Sequence, residues 1–379
     1  MLRTLCYDKA HELYGANLPK QVTERIEEEL EYIEKNNFAT IYLAAKAATD
    51  VEGLKKYQYF TRGVETNSFV AYLCGITGEI NPLYPQYRTK EERIELPFGI
   101  FENRFNCRQL QFVIDKKKDI LMFLDKLVEK TGVEPDKISF EDKDVLELFC
   151  SGKSIGLTPE KMGGFPLGCL GIPYMDSAIA VDILLHMKPK SFVDMVRIRN
   201  LTFSFFVWQE YRKNLDWSSP VKLEDLITSR EDIYYRLLAL GLTKDVVMNI
   251  FEEMKEDRLT ENNKHLLLQI GLTEKLIKMC KDYYVFPPEA LGANYMNILW
   301  KIGYYKIHFP KAFYKVYFEL FTDERFRERI SDNENNVIYW LSYIGNESGI
   351  GVAGQDVGEA KLIRMVLEKY ERERVRRYE

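Results

Sequence analysis

Few stretches of this 379-residue chain set reactive side chains at spacings that chemistry can use. Asp142 and Asp144 form a D-x-D within EDKDV. Paired carboxylates serve phosphoryl transfer when they hold two divalent ions about 4 Å apart over the attacking and leaving oxygens. The run from Tyr59 to Leu83, YFTRGVETNSFVAYLCGITGEINPL, reads as a phosphate-binding loop stripped of most of its phosphate-binding features. Arg62, Gly63 and Ser68 are of the right kind, but Val64, Glu65, Thr66 and Asn67 stand between them. In WKIGYYKIHFP, spacings of five and seven bring Lys301, Lys306 and His308 partly to one side of a helix. There they could meet DNA phosphate, with Tyr304 or Tyr305 nearby for stacking, although a solvated basic face accounts equally well for the lysines. Nothing close to His308 in sequence would orient it as a base, and no Ser/His/Asp set or Walker-type loop stands out.

The elements that position these residues belong to an ordinary globular composition, with 46% hydrophobic and 29% charged residues. A net charge of −5 argues against a uniformly basic surface while leaving room for a local basic groove. Six cysteines lie far apart, with no C-x-x-C pair and no Cys/His cluster of metal-ligand spacing, so buried thiols in a reducing cytoplasm are expected and no metal or cofactor. The chain opens without a long apolar segment and contains no apolar run long enough to span a bilayer, so no membrane partner is expected.

Val22 to Ile33 places Ile26, Leu30 and Ile33 at helical spacing against a solvated face of Glu27, Glu28, Glu31 and Glu34. Between Ile80 and Phe98, three prolines and a charged run break the periodicity and mark a first boundary. Helical patterns dominate beyond it. Three junctions read Gly-Leu-Thr, at Gly156, Gly241 and Gly271. In each, glycine can close one helix in a left-handed conformation while threonine caps the next, and Pro159 suits a first helical position. Leu242 with Val247, and Leu272 with Ile277, suit staples across the last two junctions. The unequal spacings exclude a solenoid repeat. The tail from Lys361 to Glu379 reads as a helix with a strongly charged end, where Arg372, Arg374, Arg376 and Arg377 suit a solvated end complementing the dipole or, as the alternative, a polyanion contact.

The landmarks fall in a specific order. KAHELYGANLPKQVTERIEEELEYI precedes NNFATIYLAAKAA, YFTRG and NSFVAYLCGITGEINPLYPQY. EDKDVLELF, IGLTPEKM, LGIPYMDS, KPKSFVDMVRIRNLTFSFFVW, SREDIYYRL and YVFPPEALGANYMNILWKIGYYKIHFP follow. Over about 300 residues this resembles the C-family bacterial replicases, the alpha subunits of DNA polymerase III, and most closely their PolC-type branch. The resemblance implies a mainly α fold with a small α+β part: the remnant of a polymerase palm joined to a helical fingers domain. Expected divisions are 1–88 for a palm or thumb-edge remnant, 89–120 for a shortened link, 121–345 for fingers, and 346–379 for a terminal loop and helix.

The resemblance also implies losses. The block that carries the family's cysteine zinc module and paired aspartates is missing after Tyr87, and Val113, or a neighbour in QFVID, stands where the third aspartate is expected. Asp115 lies two residues on, one repeat along the strand. The D-x-D at Asp142 falls at a family position with no catalytic role. Where the family has small residues beside the triphosphate, Glu65 would cost roughly 3 kcal/mol against one phosphate charge about 6 Å away at an effective dielectric near 20. Where it has a lysine and a histidine after Phe-Pro, this chain has Pro288, Glu289 and Ala290. Where it has a polar His-Gly-Thr-Asp, this chain has Phe203, Phe205 and Phe206 at or near those places, residues expected to fill core or, as the alternative, to turn the former nucleotide site into a partner-binding surface. Trp208, Trp300 and Tyr304 suit packing.

The expectation is therefore a non-catalytic PolC-like protein that binds primer-template or single-stranded DNA, or replisome proteins. Arg62, Gly63 and Ser68 would be the remnant of its nucleotide-phosphate site. The family's helix-hairpin-helix region and clamp-binding tail are not seen, so no direct sliding-clamp contact is expected. A fragment of a split polymerase and a pure protein-interaction module are the alternatives.

Overall fold

The computed structural model describes residues 1–50, 54, 55, 57, 60–62, 67–78, 80–88, 95–97, 113–115, 119–156, 158, 159, 165–280 and 285–321. The fold is mainly α. In chain order the elements are α1 (Leu2–Tyr14), α2 (Lys20–Lys35), α3 (Ala39–Thr49), β1 (Phe60–Arg62), α4 (Phe69–Leu73), β2 (Val113–Asp115), α5 (Asp119–Thr131), α6 (Lys143–Leu148), α7 (Ala178–Met187) and α8 (Phe192–Phe203). They continue with α9 (Phe205–Asn214), α10 (Arg230–Ala239), α11 (Lys244–Lys255), α12 (Glu261–Gln269), α13 (Glu274–Met279), α14 (Glu289–His308) and α15 (Pro310–Phe321). The chain divides into two interleaved units, one of Met1–Lys117 with Val196–Tyr295 and one of Lys118–Met195 with Met296–Glu379.

The first unit has a core where α1 to α4 meet, with Cys6, Val22, Ile26, Ile33, Tyr42, Phe69 and Val70 all fully buried. The acidic face expected on α2 is there: Glu28, Glu31 and Glu34 are exposed, and Glu27 takes Arg3 and the Tyr7 hydroxyl. Arg25 and Glu29 lie instead on the apolar side and are buried as an ion pair 2.6 Å apart.

The same unit carries two of the Gly-Leu-Thr junctions. Gly241 and Gly271 adopt φ of 86° and 104°, a region where a Cβ is strained. Thr243 accepts from the Val246 amide and Thr273 from the Leu276 amide, so the N-caps form as expected. Val247, Leu272 and Ile277 are buried behind them. At the first junction Gly156 is left-handed, with φ of 70°, and closes a single 3-10 turn, while the segment after Pro159 lies outside the described residues.

The second unit packs aromatic rings around α14 and α15. Trp300 lies 5.3 Å from Phe192 and 6.3 Å from Phe149 between ring centroids, and Phe313 lies 5.2 Å from Phe123. Trp300 also donates to the Ser139 carbonyl and Tyr305 to that of Val133, so both polar handles are satisfied inside.

Candidate functional site

The two short strands pair antiparallel, and their register sets Arg62 opposite Val113, Thr61 opposite Ile114 and Phe60 opposite Asp115. Arg62 of the loop remnant and Val113, within the QFVID run where an aspartate is expected, are thus direct cross-strand neighbours along the backbone. The side chains of Arg62, Val113 and Asp115, and residues Gly63 to Thr66 altogether, lie outside what the structure describes.

Ser68 is described, and it is fully buried. As N-cap of α4 its hydroxyl accepts from the Ala71 amide, takes a bond from the Tyr42 hydroxyl and donates to Glu29 at 2.7 Å. Glu29 also accepts from the Phe69 and Val70 amides at 2.8 and 3.0 Å. The donors at the start of α4, the groups a phosphate would need, are therefore already bonded to a carboxylate of the chain itself. Arg25 balances that carboxylate and donates onward to the carbonyls of Asn67 and Leu96.

Asn67 leads to a second buried acid. Its side-chain amide donates to Glu231 at 3.0 Å and to the Pro97 carbonyl at 3.2 Å. The other oxygen of Glu231 accepts from the backbone amide of Glu289. Glu289 in turn holds the Arg88 guanidinium at 2.6 Å through both carboxylate oxygens and accepts from the Tyr87 hydroxyl at 2.8 Å. Burial pushes the Glu231 carboxyl up to about 7, and the neighbouring Glu289 adds to the rise. Burial pulls the other way on Arg88, yet the adjacent Glu289 holds its guanidinium above the ordinary value. Of this network the sequence points only to Glu289, as the loss of a cation, and to Asn67, as a residue interrupting the loop remnant; the acid–arginine pairing itself is not visible there.

The basic group on α14 is placed differently from a solvated face. Lys301 and Lys306 are each 2% exposed. Lys306 donates to the carbonyls of Gly168, at 2.7 Å, and Leu170. Burial lowers its ammonium to about 8, against the opposing pull of Cys169 and Asp176. Tyr304 and His308 are half-buried and pack with ring centroids 4.2 Å apart and planes tilted by 43°. His308 does have an orienting partner, Asp142 at 2.9 Å, brought in from 166 residues away. Asp142 also caps α6 by accepting from the Asp144 and Val145 amides, so this half of the D-x-D is occupied structurally. Among the described residues, no group of three or more His, Cys, Asp or Glu side chains could hold a metal ion. Nor is any helix there long and apolar enough to cross a membrane.

At the α8–α9 junction the expectation of core filling fails for two of three phenylalanines. Phe205 and Phe206 are 52% and 60% exposed, whereas Val207, Trp208 and Tyr211 take the buried side of the helix. Only Phe203 is sheltered, under the Arg199 guanidinium 3.9 Å above its ring.

Comparison with known proteins agrees with this arrangement in sequence order. Residues 1–136 match the family described as the bacterial DNA polymerase III alpha NTPase domain, and residues 117–256 match the bacterial DNA polymerase III alpha subunit finger domain. The DNA polymerase III PolC-type of Caldanaerobacter subterraneus is 22% identical over 478 residues, covering 85% of this chain and 34% of that protein. The PolC-type proteins of Thermotoga petrophila and Clostridium perfringens are 30% and 26% identical over 53% and 65% of this chain, and over 15% and 17% of their own lengths. The chain thus spans about a third or less of these relatives. With alpha-subunit and finger matches in order, the chain resembles the PolC-type alpha subunits of bacterial DNA polymerase III.

Proposed function

We propose that this chain is a PolC-like relative that binds primer-template DNA or a replication partner in the cytoplasm without adding nucleotides. The observation that carries the reading is the register of β1 and β2, which sets Val113 opposite Arg62; by the resemblance, Val113 or a neighbour in QFVID stands where a metal-binding aspartate is expected. Valine cannot hold a divalent ion, and two-metal transfer needs each carboxylate. The length of the alignment points the same way. It runs for 478 positions but uses 85% of a 379-residue chain, about 322 residues, so roughly 156 positions of the Caldanaerobacter protein stand opposite gaps.

Primer extension with magnesium and all four deoxynucleotides, run beside anisotropy of labelled primer-template at several salt concentrations, tests this. The expected result is no extension, with binding that weakens steeply as salt rises. Extension by the purified chain sinks the non-catalytic half of the reading. Absence of DNA binding at low salt leaves a protein-interaction module. The same missing block favours one second reading, a split polymerase, in which extension would appear only after a second chain carrying that block is added.

A further inference from the structure

We infer that the exposed face of α9 is a contact surface for single-stranded DNA, with Phe205 and Phe206 stacking on bases and Lys213 and Arg212 meeting the backbone phosphates. The inference rests on the DNA-binding reading above and names the surface responsible. At about 100° per residue, Phe205, Phe206, Gln209, Arg212 and Lys213 fall within about a third of the helix circumference, and all five are exposed. The opposite side, Val207, Trp208, Glu210 and Tyr211, is buried. Exposure of two adjacent phenylalanines is unfavourable in water unless something covers them, since each ring is a large apolar surface.

The chemistry of the face selects the occupant. The two rings touch at 6.0 Å between centroids, tilted by 61°, which offers separate faces to two splayed bases rather than a continuous apolar strip. One turn along stand a guanidinium and an ammonium. Arg212 lies over the half-buried Trp217 ring at 5.2 Å, which fixes its stem, and Lys213 has no ion-pair partner among the described residues. The one carboxylate within α9, Glu210, is turned inward and is held by Lys275 and Thr273, so no negative charge of the helix shares the face. Aromatic platforms flanked by cations are what binds single strands without sequence preference: every base has a face to stack, and the cations meet the phosphates. An apolar protein partner would leave Lys213 to be desolvated without compensation.

The test uses the full chain with labelled (dT)20 and a (dT)20-length strand of abasic sites, read by anisotropy over a salt series. Parent protein is compared with the double variant Phe205→Ala/Phe206→Ala and with Lys213→Ala, after circular dichroism confirms unchanged helicity. The expected result is a loss of about fivefold to 150-fold per ring for (dT)20 in the double variant. Its binding to the abasic strand and its salt slope should not change. Lys213→Ala should weaken both strands alike and flatten the salt slope by about 0.7. Parent binding to (dT)20 with no loss in the double variant overturns this surface while leaving the DNA-binding reading intact. A loss that is equal on the abasic strand overturns base stacking. No binding of (dT)20 by the parent protein overturns this surface, and the primer-template anisotropy described above decides the DNA-binding reading separately.

Discussion

Lys306 allows a quantitative test of how the second unit is built. Its ammonium is buried, donates to two carbonyls, and is lowered from 10.5 to about 8 by loss of solvent. At about 1.4 kcal/mol per unit, that gap is worth roughly 3 kcal/mol. Below pH 8 both folded and unfolded chains are protonated here, so the folded state carries the whole penalty. Between 8 and 10.5 the unfolded chain binds the proton that the folded chain has released, so stability rises with pH. Worked through, the penalty falls from roughly 3 kcal/mol at pH 7 to about 1.4 kcal/mol at pH 9.5, a recovery of about 2 kcal/mol. Lys306→Met has no such dependence. It leaves the Gly168 and Leu170 carbonyls without their donor, at about 1–3 kcal/mol each, but that loss is the same at both pH values. Neighbouring groups do not confuse the comparison: Asp176, raised by burial to about 6, is ionised at both, and burial holds the Cys169 thiol protonated through the range. Urea unfolding of parent and variant at pH 7 and 9.5, followed by tryptophan fluorescence, should show the variant's stability relative to parent dropping by about 2 kcal/mol at the higher pH. A difference independent of pH would refute the buried, charge-penalised lysine.

The first unit yields matching expectations. Glu289→Ala strands the buried Arg88 guanidinium without its partner and should cost about 3–5 kcal/mol in denaturant unfolding. Glu231 holds its proton up to about 7 when folded and releases it near 4.5 when unfolded, so the parent loses stability as pH rises through that window. Glu231→Gln should gain about 3 kcal/mol on the parent between pH 4 and 8, read from paired urea melts. In the second unit, Asp142→Ala removes the cap of α6 together with the His308 partner, and should lower stability by about 1 kcal/mol or somewhat more.

Local signals explain what was legible in the sequence. Helical periodicity identified α2 and its acidic face, and the Gly-Leu-Thr junctions identified two caps, because a left-handed glycine and a capping threonine act within a few residues. Long-range placement was not legible. Asp142 and His308 are 166 residues apart, Arg88 and Glu289 are 201 apart, and no periodicity announces either pair. One buried acid did leave a trace. Arg25 and Glu29 are four residues apart and fall in register with Val22, Ile26, Leu30 and Ile33, so the apolar stripe of α2 itself carries a complementary pair. Charge that keeps step with a hydrophobic stripe signals a buried network, and that spacing is visible in the sequence alone. The phenylalanines of α9 show the reverse error. Composition sent them inward, but the wheel centred on Trp208 and Tyr211 turns Phe205 and Phe206 outward, because a ten-residue helix has only one side to bury.

On the non-catalytic reading proposed above, the buried acids would explain why a polymerase-like frame does not handle nucleotides. Glu29 occupies the amides that open α4, and Glu289 stands after Phe-Pro, where the resemblance expects cations reaching toward a triphosphate. Each carboxylate is integrated through hydrogen bonds inside the first unit, so neither can be withdrawn without leaving Arg25 or Arg88 unpaired. Restoring nucleotide binding by single substitutions would therefore conflict with stability. Glu289→Lys sets a second cation against Arg88 in a buried site and should unfold the first unit before it recruits any phosphate. A variant that stayed folded and bound deoxynucleotide would show that the acid is dispensable to the frame, contrary to the network of bonds around it.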